Sequence, residues 1–298
     1  MASFKKTVEE TLWVDDRYDG RIKIYLESEE DVCIFGDHWF GAYQEKLHFE
    51  SAENQEKPGD GGCRAVINKV GVASDHKIPA FGIVDRDTLL ADDRHDLFWE
   101  IDDQRFHQAR PYGERIHVLR RWELENYLLK AEAISAVMSP RKLRPPIPQV
   151  SCIDLLDEYA ADLVDLTALT TFKMAEKQNT PSTEFGKHVS GAALCQEIHD
   201  HLNKAIPAKN YEDLEDDKAK ILAFAENETD SVEHWNKLSR ILDGKKALSR
   251  ICEGLSKKHG IASLKPWGEM RGPLADKIAS MDLIDIELIE LMKSYSKP

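Results

Sequence analysis

Along the first 130 residues, apolar positions recur with strand spacing and helix spacing in turn. Arg21-Ile22-Lys23-Ile24-Tyr25-Leu26-Glu27 alternates polar and apolar residues and predicts a first strand. Residues 29–40 predict a helix, with Glu29, Glu30 and Asp31 in its first turn, where the helix dipole favours acids. Lys46 to Glu50 reads as a short second strand, Lys57 to Gly62 as a turn and Ala65 to Val72 as a second helix. The apolar run 79–85 predicts a buried third strand, Arg115 to Leu119 a fourth, and Leu124 to Met138 a helix ending near Pro140. A βαβαβ order with short connections implies an α/β fold, a mainly parallel sheet with helices on both faces. In such sheets function gathers at the carboxyl ends of the strands. Glu27 and Asp85 both end their strands, which places them on one rim.

Beyond the sheet the rhythm changes. Arg141-Lys142-Leu143-Arg144-Pro145-Pro146-Ile147-Pro148 is too rich in proline for a helix and reads as a linker. Ile153, Leu155, Leu156, Tyr159, Leu163 and Leu166 then fit one helical face, and shorter helices follow to Met292. The expected organisation is a catalytic domain over 1–140, a linker over 141–150 and an α-helical region over 151–298. Met281 to Ile289 is apolar enough to close the core or to mediate assembly.

Composition narrows the class. With 42% hydrophobic and 32% charged residues among 298, the chain has the balance of a folded soluble protein. It contains no apolar run of 18 residues for a membrane span, and Met1 to Thr7 has no apolar core of a secretory signal. Cys33, Cys63, Cys152, Cys195 and Cys252 are scattered and form no C-x-x-C, as expected of reduced thiols in a cytoplasmic protein without a zinc site. The net charge of −14 is uneven: residues 105–144 carry nine Lys and Arg against four Asp and Glu. That island is either a solvated surface or a phosphate-tracking patch, with Arg110, Arg115, Arg120, Arg121 and Lys130 as its nucleic-acid contacts.

The chemistry concentrates at Asp85-Arg86-Asp87. Strand periodicity puts side chains i and i+2 on one side, so the two carboxylates can converge where the strand ends. A hard divalent cation such as Mg²⁺ relieves their repulsion. Glu27 on the same rim completes a set of three carboxylates able to hold one or two ions, either as a ligand or as a base toward an attacking water. Glu123 and Glu125 lie just past the fourth strand; one of them completes the metal site, or both cap the helix that follows. Arg120 and Arg121 could grip a phosphate bidentately. Gly59-Asp60-Gly61-Gly62 reads as a turn, His199 and His201 as surface residues, and Asp243-Gly244-Lys245-Lys246 lacks the spacing of a P-loop.

A glutamate after the first strand and a D-x-D after the third resemble the toprim domains of topoisomerases, primases and OLD-family nucleases. Arg121-Trp122-Glu123-Leu124-Glu125-Asn126-Tyr127-Leu128, together with Trp235 and Gly244-Lys245, is similar to a compact toprim-like family with an "ENYL" signature. Length and layout look closest to the toprim effectors of PARIS anti-phage systems. The resemblance covers residues 20–130 well and the helical remainder loosely. It implies Mg²⁺, with Mn²⁺ as a substitute, on Glu27, Asp85 and Asp87, joined by Glu125 or Glu123. It implies Lys245 as a stabiliser of phosphate charge. It further implies cleavage of RNA, tRNA or DNA, restraint by an ABC-type ATPase partner, and a homodimer. One departure stands out: toprim domains usually carry Gly after the glutamate, and here Ser28 stands there, with a side chain to crowd the turn.

Two rival readings remain. Asp85-Arg86-Asp87-Thr88 also looks like the D-x-D-x-T of haloacid-dehalogenase phosphatases, with Asp85 as nucleophile and Asp87 as acid/base. That motif normally sits on the first strand, and the reading leaves Glu27 unused. The other rival is a toprim-like module that binds without cutting.

Overall fold

The computed structural model describes residues 19–53, 62–141, 146–205, 209, 211–260 and 265–297. Four strands, β1 (Ile22–Leu26), β2 (Leu47–Ser51), β3 (Ala80–Val84) and β4 (Ile116–Val118), form a sheet in the order β2-β1-β3-β4. Every pairing is parallel, with Tyr25 opposite Glu50 and Gly82, and Val84 opposite Val118. All four carboxyl ends therefore share one rim, as the βαβ order demands.

Between the strands lie α1 (Glu29–Val32), continued by a π-helical segment over Cys33–Trp39, then α2 (Cys63–Asp75), α3 (Thr88–Ala91), α4 (His95–Phe98) and α5 (Asp103–Ala109). After β4 come α6 (Leu124–Leu128), α7 (Ala131–Met138), α8 (Gln149–Ala175), α9 (Ala192–Ala205) and α10 (Glu215–Ala223). The chain closes with α11 (Ser231–Leu238), α12 (Gly244–His259), α13 (Arg271–Ser280) and α14 (Ile286–Tyr295).

The sheet is covered on both faces, and adjacent residues of β3 show how. Gly82 faces α2, where a Cβ would stand 2.6 Å from Val66 Cγ1 and 2.8 Å from Ile116 Cδ1. Only a hydrogen at that position lets the helix pack so close. Phe81 points the other way and stacks on Tyr295 of α14, ring centroids 3.9 Å apart. Strand alternation thus joins the chain's last helix to the sheet's centre. The core runs without a break from Ile24 to Tyr295.

Two expectations need correction. The helix over 124–138 is two helices. Lys130 is extended at φ −93°, ψ 122°, and the Leu129 carbonyl accepts the buried Trp235 indole N–H at 3.0 Å. A tertiary contact claims a carbonyl that a continuous helix would use. The helix expected over 29–40 widens into π geometry after one α turn, which turns Ile34, Phe35 and Trp39 inward. The linker reading falls partly outside the described residues (142–145); Pro148 is extended and α8 begins at Gln149. The turn residues 57–61, including Gly59 to Gly61, and residues 1–18 also lie outside. The five cysteines form no disulfide, and no helix among the described residues is long and apolar enough to cross a membrane.

Candidate active site

Glu27 leaves the end of β1 half-buried, and its Oε1 accepts the backbone N–H of Asp85 at 3.1 Å. That bond ties the end of β1 to the end of β3. Ser28 is extended, φ −135° and ψ 163°, so its side chain brings no strain. It caps α1 instead: Ser28 Oγ accepts the Asp31 N–H, and Asp31 Oδ2 accepts the Ser28 N–H, each at 3.2 Å. The expected crowding does not arise.

Asp85 and Asp87 gather by a different route from the strand pleat. β3 stops at Val84, and Asp87 takes helical geometry at the N-cap position of α3 without capping it. Arg86 between them is fully buried on the opposite side. Its guanidinium donates to the carbonyls of Phe98 at 2.7 and 2.9 Å, Glu100 at 2.7 Å and Arg120 at 2.6 Å, and its N–H donates to the Trp122 carbonyl at 2.8 Å. With Arg86 anchored inward, Asp85 lines the cleft, and Asp87, two residues on, lies behind it within electrostatic reach of Glu27, Glu123 and Lys245.

Lys245, held from behind by the buried Glu123, forms the second wall. Glu123 stands at the N-cap of α6, which Asn126 reinforces by accepting the Glu123 N–H at 3.0 Å and donating to the carbonyls of Ser239 and Leu242. α12 starts against this turn. Asp243 caps it through the Lys246 N–H at 3.0 Å and receives the Thr170 hydroxyl of α8, also at 3.0 Å. A Cβ on Gly244 would lie 2.8 Å from Asn126 Cγ, so glycine permits the approach. Lys245 then meets Glu123 twice, N–H to Oε1 at 2.6 Å and Nζ to Oε2 at 2.8 Å. Each member of the Gly-Lys pair thus has its own local reason.

A cleft of about 540 Å³ opens among Glu27, Asp31, Asp85, Glu125, Lys245 and Arg271. Its charges perturb one another strongly. Burial, then the neighbouring Glu27, pushes the Asp85 carboxyl well up, and the same causes raise Asp87 to about 7. Burial and Glu123 raise Glu125 to about 7, and burial raises Glu27 despite the Asp85 N–H it accepts. Glu123, with Glu125 and Asp85 behind it, holds the Lys245 ammonium well above its usual value against the effect of burial. Oxygen donors alone line the acidic side, a set suited to Mg²⁺ or Mn²⁺.

The basic island does not form a patch at this rim. Arg115 precedes β4 and so sits at the sheet's opposite end; Arg110 is exposed and paired with Glu114. Arg121 is buried, donating to the Asn236 carbonyl and Ser239 and facing Asp285. Arg120 pairs with Asp103 and Asp285, both at 2.8 Å, and Lys130 donates to Asn236 at 3.0 Å. The tertiary structure draws acids from α5 and from the turn before α14 onto these cations, which local composition could not reveal. His199 and His201 are half-buried rather than on the surface.

Sequence reasoning missed three features. Arg271 reaches Asp31 and Glu125 from some 240 and 150 residues away, and no local motif marks it. Asp31 was read only as a helix-dipole acid. His107, His117 and Glu287 place donor atoms within 4.8 Å of one another; the rim carboxylates do not reach that spacing among the described residues. Glu287 is nevertheless already engaged: His117 Nε2 at 2.8 Å, the Arg120 N–H at 2.9 Å and the Tyr127 hydroxyl at 2.6 Å share its oxygens. That trio fastens α14 to β4.

Comparison of the chain with family models, with curated proteins and with solved structures finds no match.

Proposed function

We propose that this protein is a Mg²⁺-dependent toprim-type nuclease that hydrolyses phosphodiester bonds of nucleic acid. The observation that carries the reading is that Glu27 at the end of β1 and Asp85 at the end of β3 line one cleft with Lys245, with Asp87 close enough for Glu27 to perturb it. The order of these residues in the chain is the toprim order. Glu27, Asp85 and Asp87 would hold the ion, with Glu125 beside them; Mn²⁺ would fit the same donors. Bound there, the ion supplies Lewis-acid stabilisation of phosphate charge.

The remaining work belongs to the chain. The Lys245 ammonium, its side chain 42% exposed, would meet a non-bridging phosphate oxygen. Glu123 fixes its position, and Asn126 fixes Glu123. Water adds to phosphorus, the bond from phosphorus to the sugar oxygen breaks, and that oxygen leaves with a proton. Glu27 either holds the ion or takes the proton of the attacking water. Against the phosphatase reading, Asp85 follows the third strand in the chain rather than the first, and Glu27 would have no role. An RNA target such as tRNA, action as the effector of an anti-phage defence, restraint by an ABC-type ATPase and a homodimer follow from the motif resemblance.

The test is cleavage by the purified chain of a tRNA pool, a structured RNA and duplex DNA, with Mg²⁺ and with EDTA. Cleavage should require the ion and disappear in Glu27→Ala and Asp85→Ala, while their circular dichroism stays that of the wild type. Undiminished cleavage in Glu27→Ala would sink the assignment. Beryllofluoride trapped on Asp85 would move it to the phosphatases.

A further inference from the structure

We propose that Arg271 is a positioning residue of the rim site: its guanidinium stands in for a cation at Glu30, Asp31 and Glu125, so that the Glu27–Asp85–Asp87 side receives a single divalent ion. The inference rests on the nuclease reading for the reaction it serves, but not for its test. Arg271 opens α13, and its side chain is 7% exposed inside the acidic cleft. One terminal nitrogen lies 3.0 Å from Asp31 Oδ1 and 3.3 Å from Glu125 Oε1, while the other pairs with Glu30. Nε has no hydrogen-bond partner among the described residues, and the guanidinium sits 5.5 Å from the Trp267 ring centroid.

A buried arginine that served packing alone would need one carboxylate. This one draws three from two elements, and its rigid fork fixes where Glu125 points. Glu125 is therefore held toward α13, while Asp31 keeps Oδ2 on the Ser28 N–H and Oδ1 on Arg271. A second divalent ion on this wall would have to displace a cation already in contact with all three acids. Like charges at such spacing exclude each other in a low-dielectric cleft.

The test counts Mn²⁺ ions bound per full-length chain, after chelator stripping, by equilibrium dialysis with electron paramagnetic resonance of the free ion. Arg271→Gln should bind one more ion than the wild type. Adding Asp31→Asn to that variant should remove the extra ion, and Arg271→Lys should keep the wild-type count. Equal counts in Arg271→Gln and wild type would overturn the proposal, as would a wild-type ion that Asp31→Asn removes. Should Arg271→Gln fail to fold, the effect of Asp31→Asn on the wild-type count decides alone. Since the readout is a difference in ions bound, a chain that binds one ion and cuts nothing defeats the nuclease reading and leaves this one standing.

Discussion

At the scale of single residues, the rim is a place where stability has been given up for charge. Asp87 is an acid whose folded-state pKa, about 7, lies above its ordinary 3.8. The folded state therefore holds the proton that the unfolded state releases. Between about pH 4 and pH 7 the unfolded state is progressively favoured, and above pH 7 the penalty is complete and constant. Asp87→Asn should consequently stabilise the metal-free protein against unfolding, by on the order of 3 kcal/mol at pH 8 and by little at pH 4, and raise its melting temperature accordingly. The same variant should lose Mg²⁺-dependent cleavage. Thermal melts at the two pH values check the first statement, and an equal gain at both would refute it. Lys245→Ala should instead lower kcat on nucleic acid by about 10²-fold or more, as for removal of one preorganised charge donor. Single-turnover rates at saturating substrate are the measurement.

Elements are held by a few contacts whose loss can be priced. Burial would raise the Glu287 carboxyl, but His117, Arg120 and Tyr127 together bring it down to about 2 from an ordinary 4.5. A depressed acid contributes stability that is present above about pH 4.5 and lost as the pH falls toward 2. Glu287→Gln should therefore cost on the order of 3 kcal/mol at pH 7. The gap from wild type in urea titrations should close below pH 4; a gap independent of pH would show that packing, not ionisation, is at stake. On the sheet's other face, Gly82→Ala drives a methyl into Val66 and Ile116, and overpacking of this kind costs about 1–3 kcal/mol. Chemical denaturation measures it directly, and a neutral result would mean that α2 can withdraw from β3.

At the scale of the molecule, the helical region is part of the site. α12 brings Lys245, α13 brings Arg271, and α14 packs Tyr295 on Phe81 and binds His117 through Glu287. Residues 1–140 expressed alone should accordingly lack a cooperative unfolding transition, and a sharp two-state melt of that fragment would contradict it. The four strands, their parallel arrangement and the placing of Glu27 and Asp85 at strand ends were legible because each rests on a local signal, alternation or an apolar run. Lys245 came from the motif resemblance, and Asp87 sits in a helical turn rather than on the strand pleat. Arg120 and Arg121 were not legible, because their partners Asp103 and Asp285 come from other elements.

What the sequence by itself determined is which residues end strands, since hydrophobic period and turn chemistry act over a few neighbours. It thereby put Glu27 and Asp85 on one rim of a parallel sheet. Only the tertiary structure decided the charge at that rim. Coulomb interactions depend on distance in space, and Glu123, Lys245 and Arg271 arrive there from three helices far apart in the chain. The same dependence drew Arg120 and Arg121 onto Asp103 and Asp285 and broke the helix at Leu129, whose carbonyl a distant tryptophan had claimed.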